Sequence, residues 1–591
     1  MHLSTLDWSF VAAFFIISLV LGLWASRKAG KNFTEYFLSG RNMPWWLLGI
    51  SMVATTFSAD TPNLVTEFVR TGGVSKNWLW WSFLLTGMLT VFVYAKLWRR
   101  SGVLSDLEFY ELRYGGKMAA FLRGFRAVYL GVFFNVFIMG TVLLAGTKIG
   151  AVLLGLDQNV TLLITCVITV VYTALGGLRG VLLTDFFQFL LAMGGMVAAA
   201  LVLLNHPDIG GLSNLLTHEN VQGKLELLPD FKDTNALLPL LIIPLAVQWW
   251  AVWYPGAEPG GGGYVAQRML AAKDEKNAIG ATLLFNVAHY ALRPWPWILI
   301  ALCSLVLFPD IASLEAVYGS TGIDIKDDLA FPAVLQYLPS GLLGIVVASL
   351  IAALMSTIST HLNWGSSYIV HDVYQRFYRK EASDSELVMV GRISTIFLVI
   401  LAAFYALFLQ SAGQAFGIIL SIGAGTGLIF ILRWFWWRIN AYSELTAMIV
   451  SFLVTLFFEI WFPDAKDHVQ LLWVVGVTTL AWVSVTMLTA PESHDILWKF
   501  VKLVRPHAMG WKPVLAKAKA AGAVEAEGLS TGNLTLEIAA MFIGCFTVYG
   551  VLFGTGYWIY GETSSALMAS GVAIIGTWIL VRLWTKYRIF S

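Results

Sequence analysis

Four hydroxyls fall within five residues, at Ser356, Thr357, Ser359 and Thr360, inside the apolar run Ala-Ser-Leu-Ile-Ala-Ala-Leu-Met-Ser-Thr-Ile-Ser-Thr at 348–360. On a helix, residues three and four apart share a face. Ala353, Ser356 and Thr357 then form one cup of oxygens, and Ser356, Ser359 and Thr360 a second, one turn further on. Small hard cations take oxygen ligands, and neutral oxygens suit a monovalent ion that must also leave. The competing reading is structural: Ser and Thr in membrane helices bond back to the i−4 carbonyl, and small residues let helices approach closely. A second polar cluster, Thr55, Thr56, Ser58, Asp60 and Asn63, surrounds the breaker Pro62 in another apolar run. Irregular backbone at bilayer depth is tolerated only where protein or a water cavity satisfies it. An unwound helix there frees carbonyls for an ion or a solute; the alternative is a proline kink solvated by Ser and Thr. The third cluster, Thr184, Asp185 and Gln188, follows the Gly-rich stretch Leu-Gly-Gly-Leu-Arg-Gly at 175–180, expected to be a short inner turn. A carboxylate in an apolar run is costly and needs a cation: a metal ion, a Lys or an Arg, with Arg179 as the structural candidate.

What must position these groups is a set of membrane helices. The 591-residue chain is 58% hydrophobic and only 13% charged, against about 25% charged in soluble domains. Apolar runs of about 20 residues, the bilayer-crossing length, recur throughout. We read fifteen spans: about 8–26, 45–70, 77–98, 119–154, 159–176, 181–204, 237–255, 279–308, 331–360, 387–410, 412–437, 441–462, 468–489, 535–558 and 565–584. This is an all-α polytopic membrane protein with the lipid bilayer as its surroundings. The net charge of +2 does not indicate nucleic acid, and Cys166, Cys303 and Cys545 lie in apolar helices rather than in a disulfide framework. The first apolar run, Trp8 to Trp24, is followed rather than preceded by Arg27, Lys28 and Lys31. That pattern predicts a retained helix with its N-terminus outside. Lys and Arg then concentrate in the loops this orientation places inside, which puts the C-terminus in the cytoplasm and the chain in the plasma (inner) membrane. Loops 205–236 and 309–330 read as outer lids. The basic stretch 490–533 reads as a surface amphipathic segment plus linker, and the last two spans as an appendage.

Taken together, Ala-Thr-Thr-Phe-Ser-Ala at 54–59, Tyr-Thr-Ala-Leu-Gly-Gly-Leu-Arg-Gly-Val…Thr-Asp…Gln at 172–188, Val-Ala-Gln-Arg…Ala-Ala-Lys at 265–273 and Met-Ser-Thr-Ile-Ser-Thr at 355–360 resemble the sodium:solute symporter family over about residues 5–440. The family includes sodium-coupled sugar, proline, pantothenate and sialic acid transporters. The resemblance implies an inverted five-plus-five helix core at 45–204 and 237–438. An extra helix precedes it in 1–44, two follow at 439–489, then the loop 490–533 and two last helices in 534–591. It implies a first sodium site from the carbonyls of Ala54, Phe57 and Ala353 with the hydroxyls of Ser356 and Thr357. It implies a second from Asp185, Ser356, Ser359 and Thr360, hence two coupling Na+ ions. For the solute it points to Asp60, Asn63 and Asn135, to Trp80 where the sugar-transporting branch has an acidic ligand, and to Gln414. Trp249, Trp250 and Trp253 could stack on a sugar face or belong to the interfacial belt. The Pro/Gly-rich run around 255–263 departs from the family pattern.

The expected activity is symport of Na+ with a small polar organic solute, a sugar or sugar derivative first, by alternating access; a small carboxylate, amino acid or nucleoside stays open. An intramembrane transferase would need a His/Asp or paired-carboxylate centre, yet the nine His are scattered, with His289 and His361 alone in helices. A transporter-derived solute sensor would need a signalling domain, and 490–533 is too short for one. No enzyme activity is expected, and nothing in the sequence identifies a protein partner.

Overall fold

The computed structural model describes residues 3–29, 33–56, 58–252, 258–319, 324–409, 412–522 and 533–587. Among the described residues the secondary structure is helical, with an isolated bridge between Met43 and Ala272. Among the described residues ten helices are long and apolar enough to cross a membrane, and five shorter apolar helices, Thr5–Leu21, Trp45–Thr56, Gln158–Val167, Thr234–Ala246 and Ile419–Leu432, fall on the other predicted spans.

Two of the short ones are short because the chain breaks. The second span runs as Trp45–Thr56, loses helical form, and resumes as Asp60–Gly72. The seventh ends at Val247 (φ −134°), makes one tight turn at Gln248–Trp250 and extends at Ala251; beyond the undescribed residues 253–257, the helix Gly263–Ala271 follows. These are the opening helices of the two predicted repeats. Interrupted helices at matching positions in two halves are the usual walls of a transporter's binding site. The second break leans on a Gly-rich segment: the Val252 amide donates to the Gly423 carbonyl (3.3 Å), and a Cβ added at Gly427 would lie 1.5 Å from the Trp250 oxygen. Only glycine admits that approach.

The structure departs from the sequence reading at several places. The hydroxyl-rich helix begins at Leu342, not near Phe331, because the helix Ala330–Val334 is cut off ahead of Pro339 and of Gly341, which sits at φ +88°. It then continues without interruption, widening into π turns over Tyr368–Tyr378. Residues Gln158–Leu204 keep helical hydrogen bonding throughout, yet Thr161 and Ile164 share a pocket with Val347 and Leu350 while Gly195 abuts Val346 and Ser349, so the chain reverses between them, as the expected inner turn requires, since a straight helix would hold those positions about 46 Å apart. The two lid loops are docked: Val74 N–H donates to the Lys224 carbonyl (2.8 Å), Trp78 Nε1 to Leu227 (2.9 Å), and Lys148 pairs with buried Asp328 (2.7 Å). The first of the two last helices, Leu534–Tyr560, is no appendage. Glu537 is buried against Lys96 (2.5 Å) and His507 (2.8 Å), Tyr549 donates to the Trp81 carbonyl, and Trp295 to that of Leu552. In the basic stretch, His494–Val504 is amphipathic as expected, burying Leu497, Phe500, Val501 and Val504 on one face; 523–532 lies outside the described residues.

Candidate functional site

At the first break, Thr61 closes the end of the upstream helix by donating to the Thr56 carbonyl (3.3 Å), and Ser58 bonds Asp60, which opens the downstream helix. The hydroxyl helix packs against the last turn before this break. Thr357 Oγ1 donates to the Thr55 carbonyl (2.8 Å), and the hydroxyls of Thr55 and Thr360 lie 3.1 Å apart. Ala54 and Ala353 are both buried. The Thr357 proton is thus committed to protein, which leaves the oxygen lone pairs for a cation. Phe57 lies outside the described residues.

One turn away, the Asp185 carboxylate accepts from Ser51 on one oxygen and from Ser356 on the other, both at 2.5 Å. The cation facing it is Arg268 rather than Arg179. Arg268 is fully buried, and its guanidinium donates to Thr360 Oγ1 (3.0 Å), to Ser51 Oγ (3.3 Å) and to Gln267 (3.0 Å). Of the four hydroxyls, Ser359 alone follows the structural reading, donating back to the Ser356 carbonyl (3.0 Å).

Beyond the break lies a cavity of about 50 Å³ walled by Thr56, Asp60, Trp80, His289, Arg293 and Phe416 among others. That volume suits one or a few waters, so a solute enters only if Trp80 or Phe416 moves. Arg293 donates to Thr56 Oγ1 (3.1 Å) and the Val53 carbonyl (3.3 Å) and is bonded to the His289 ring, which in turn meets Thr56 (3.0 Å). Trp80 stacks on Tyr290 (5.8 Å) and meets His289 edge-on (5.5 Å). Asn63, one turn past Asp60, is fully buried, and neither end of its amide has a hydrogen-bond partner among the described residues. Buried amides without partners are rare, but Asn63 does not line this cavity.

Sequence-derived Asp60 and Trp80 thus share one cavity. Asn135 does not line it: its amide is taken up by His361, through the carbonyl (2.8 Å) and Nδ1 (2.5 Å). Trp249 sits at the second break with its carbonyl accepting from Thr86. Gln414 falls in the helix Ala412–Ala424, where its side chain is not described. Sequence reasoning missed His289 and Arg293 as cavity residues; the signal was a His and an Arg four apart in an apolar helix, where a polar pair must face protein or water.

Two interrupted helices, one from each half of an all-helical membrane bundle, meeting a hydroxyl-rich helix over buried oxygens, define a secondary transporter of the broken-helix kind. Residues 36–451 match the sodium:solute symporter family, and the chain belongs to it. It is 26% identical over 511 residues to a sodium/glucose cotransporter of Vibrio parahaemolyticus, covering 83% of this chain and 92% of that one. It is likewise 26% identical over 470 residues to a sodium/mannose cotransporter of Bos taurus, covering 74% and 76%. In fold it is similar to a sodium-coupled sialic acid symporter solved in a substrate-bound outward-open state (TM-score 0.65, 21% identity, 83% and 99% covered).

Proposed function

We propose that this chain is an importer that couples Na+ entry to uptake of a sugar or sugar derivative through the cavity beside the first break. Membership of the family supports sodium-coupled solute symport; the sugar rests on the sodium/glucose and sodium/mannose relatives and on the cavity's chemistry. The observation that carries the reading is the contact of Thr357 with the Thr55 carbonyl at the end of the broken helix, which presents uncharged oxygens from two elements to one point. A sodium ion there bridges the two and favours the conformation able to take solute. Coupling requires that ion and solute prefer the same state. Asp185 with Ser356, Ser359 and Thr360 forms the second ion site, giving two Na+ per solute. Each charge adds about 2.3 kcal/mol of drive per 100 mV. Asp60 supplies an acceptor for solute hydroxyls, and Trp80 an aromatic face. Entry is from the side of the N-terminus and release is cytoplasmic, at the plasma membrane.

The test is thermal stabilisation of purified protein by a panel of sugars, carboxylates, amino acids and nucleosides, in sodium and in choline. A sugar that stabilises only with sodium supports the reading. Stabilisation by a non-sugar alone replaces the solute class, and indifference to sodium removes the coupling.

A further inference from the structure

We propose that Arg268 is a tethered competitor for the second sodium ion: its guanidinium and Na+ take the Asp185 centre in turn, and the exchange moves the segment that carries Arg268. The inference rests on the reading of Asp185 and its hydroxyls as an ion site. Arg268 donates to Thr360 Oγ1, an expected ligand of that ion, and to Ser51, which holds the other oxygen of Asp185. A single buried carboxylate balances one cation. Guanidinium and sodium together would leave an excess charge in a site with no solvent to disperse it, which is strongly disfavoured. The two cations therefore exclude each other.

The carrier of Arg268 is built to move. It is the short helix Gly263–Ala271 that follows the break in the seventh span. Gly260 and Gly261 precede it and Gly263 opens it, at φ +89°, +82° and +52°, a joint open to backbone rotation. Gln267 of the same helix reaches the Phe37 carbonyl (3.0 Å), and the bridge of Met43 with Ala272 lies at its end. Displacing Arg268 thus pulls on contacts with the residue 37–43 segment, so filling of the ion site is passed mechanically to that segment.

The test is a sodium titration of thermal stability at constant ionic strength, with choline as the replacement cation. If the Arg-occupied form dominates without sodium, the apparent sodium affinity is reduced by the fraction competent to bind. Arg268→Gln should then bind sodium about 10-fold more tightly than wild type. Low-millimolar methylguanidinium should weaken sodium binding to Arg268→Ala while leaving wild type unchanged, a response no merely structural arginine gives. Arg268→Lys, which keeps the charge but cannot span both hydroxyls, should fall between and serves if the Gln variant fails to fold. Wild type that responds to sodium, with variants whose affinity is equal or weaker, overturns the competitor role alone. Wild type and Asp185→Asn that respond identically to sodium remove the ion site itself, and the proposal with it.

Discussion

Replacing Thr357 by Val removes one hydroxyl while keeping the shape of the side chain. In the structure that hydroxyl is buried and donates to the Thr55 carbonyl at 2.8 Å. The bond is worth about 1 kcal/mol to the fold, and it is lost in both the ion-free and ion-bound states, so it cancels from the sodium affinity. What does not cancel is the missing ligand. In the ion-bound state a buried cation faces a methyl group in place of an oxygen, at a cost of about 1–3 kcal/mol for an unmade polar contact. At 1.4 kcal/mol per decade, this weakens sodium binding by roughly 5- to 150-fold. Thr357→Ser keeps the oxygen and should stay within about threefold of wild type. The assay is the sodium concentration that half-saturates thermal stabilisation, repeated for solute uptake into proteoliposomes. The order of preference among solutes should not change, because Thr357 does not line the cavity of Asp60 and Trp80. Wild-type sodium affinity in a folded Thr357→Val protein would refute the placement of the first ion.

Three further outcomes follow from other parts of the molecule. Asp185→Asn should lower the sodium Hill coefficient of uptake from about two to about one, as expected when one of two linked ions is lost; a coefficient still near two places the second ion elsewhere. Lys96→Ala removes the lysine from buried Glu537 and leaves it His507, so stability should fall by up to about 3–5 kcal/mol; the paired replacement Lys96→Met with Glu537→Leu should recover part of it, both read from denaturation midpoints. Asp106, in the segment between two spans, accepts from Tyr368 and from the Gly263 amide (2.8 Å), and burial pushes its carboxyl up to about 7. A carboxyl raised in the folded state gives stability that is present below its unfolded value and lost as pH rises through 7. Between pH 6 and 8 the loss is about 1.4 kcal/mol, and Asp106→Asn should flatten that part of the pH profile.

The sequence alone established that the chain crosses a membrane many times, since apolar run length and charge scarcity are set by the hydrocarbon thickness. It also located the first break and the hydroxyl helix, because Ser, Thr, Asp and Pro in such runs have no solvent to excuse them. Local pattern was weaker wherever a neighbour decided the outcome. Leu534–Tyr560 read as peripheral until Lys96 and Trp81 appeared against it from more than 400 residues away. Arg268, His289 and Arg293 were single letters in apolar or motif contexts, and only tertiary packing showed which oxygens they face. A buried charge announces from sequence that it has a counterpart, but the identity of that counterpart is a matter of distance in space. Asp185 demanded a cation on composition alone; that the cation is Arg268, held on the same hydroxyls that suit an ion, was decided by how the bundle packs.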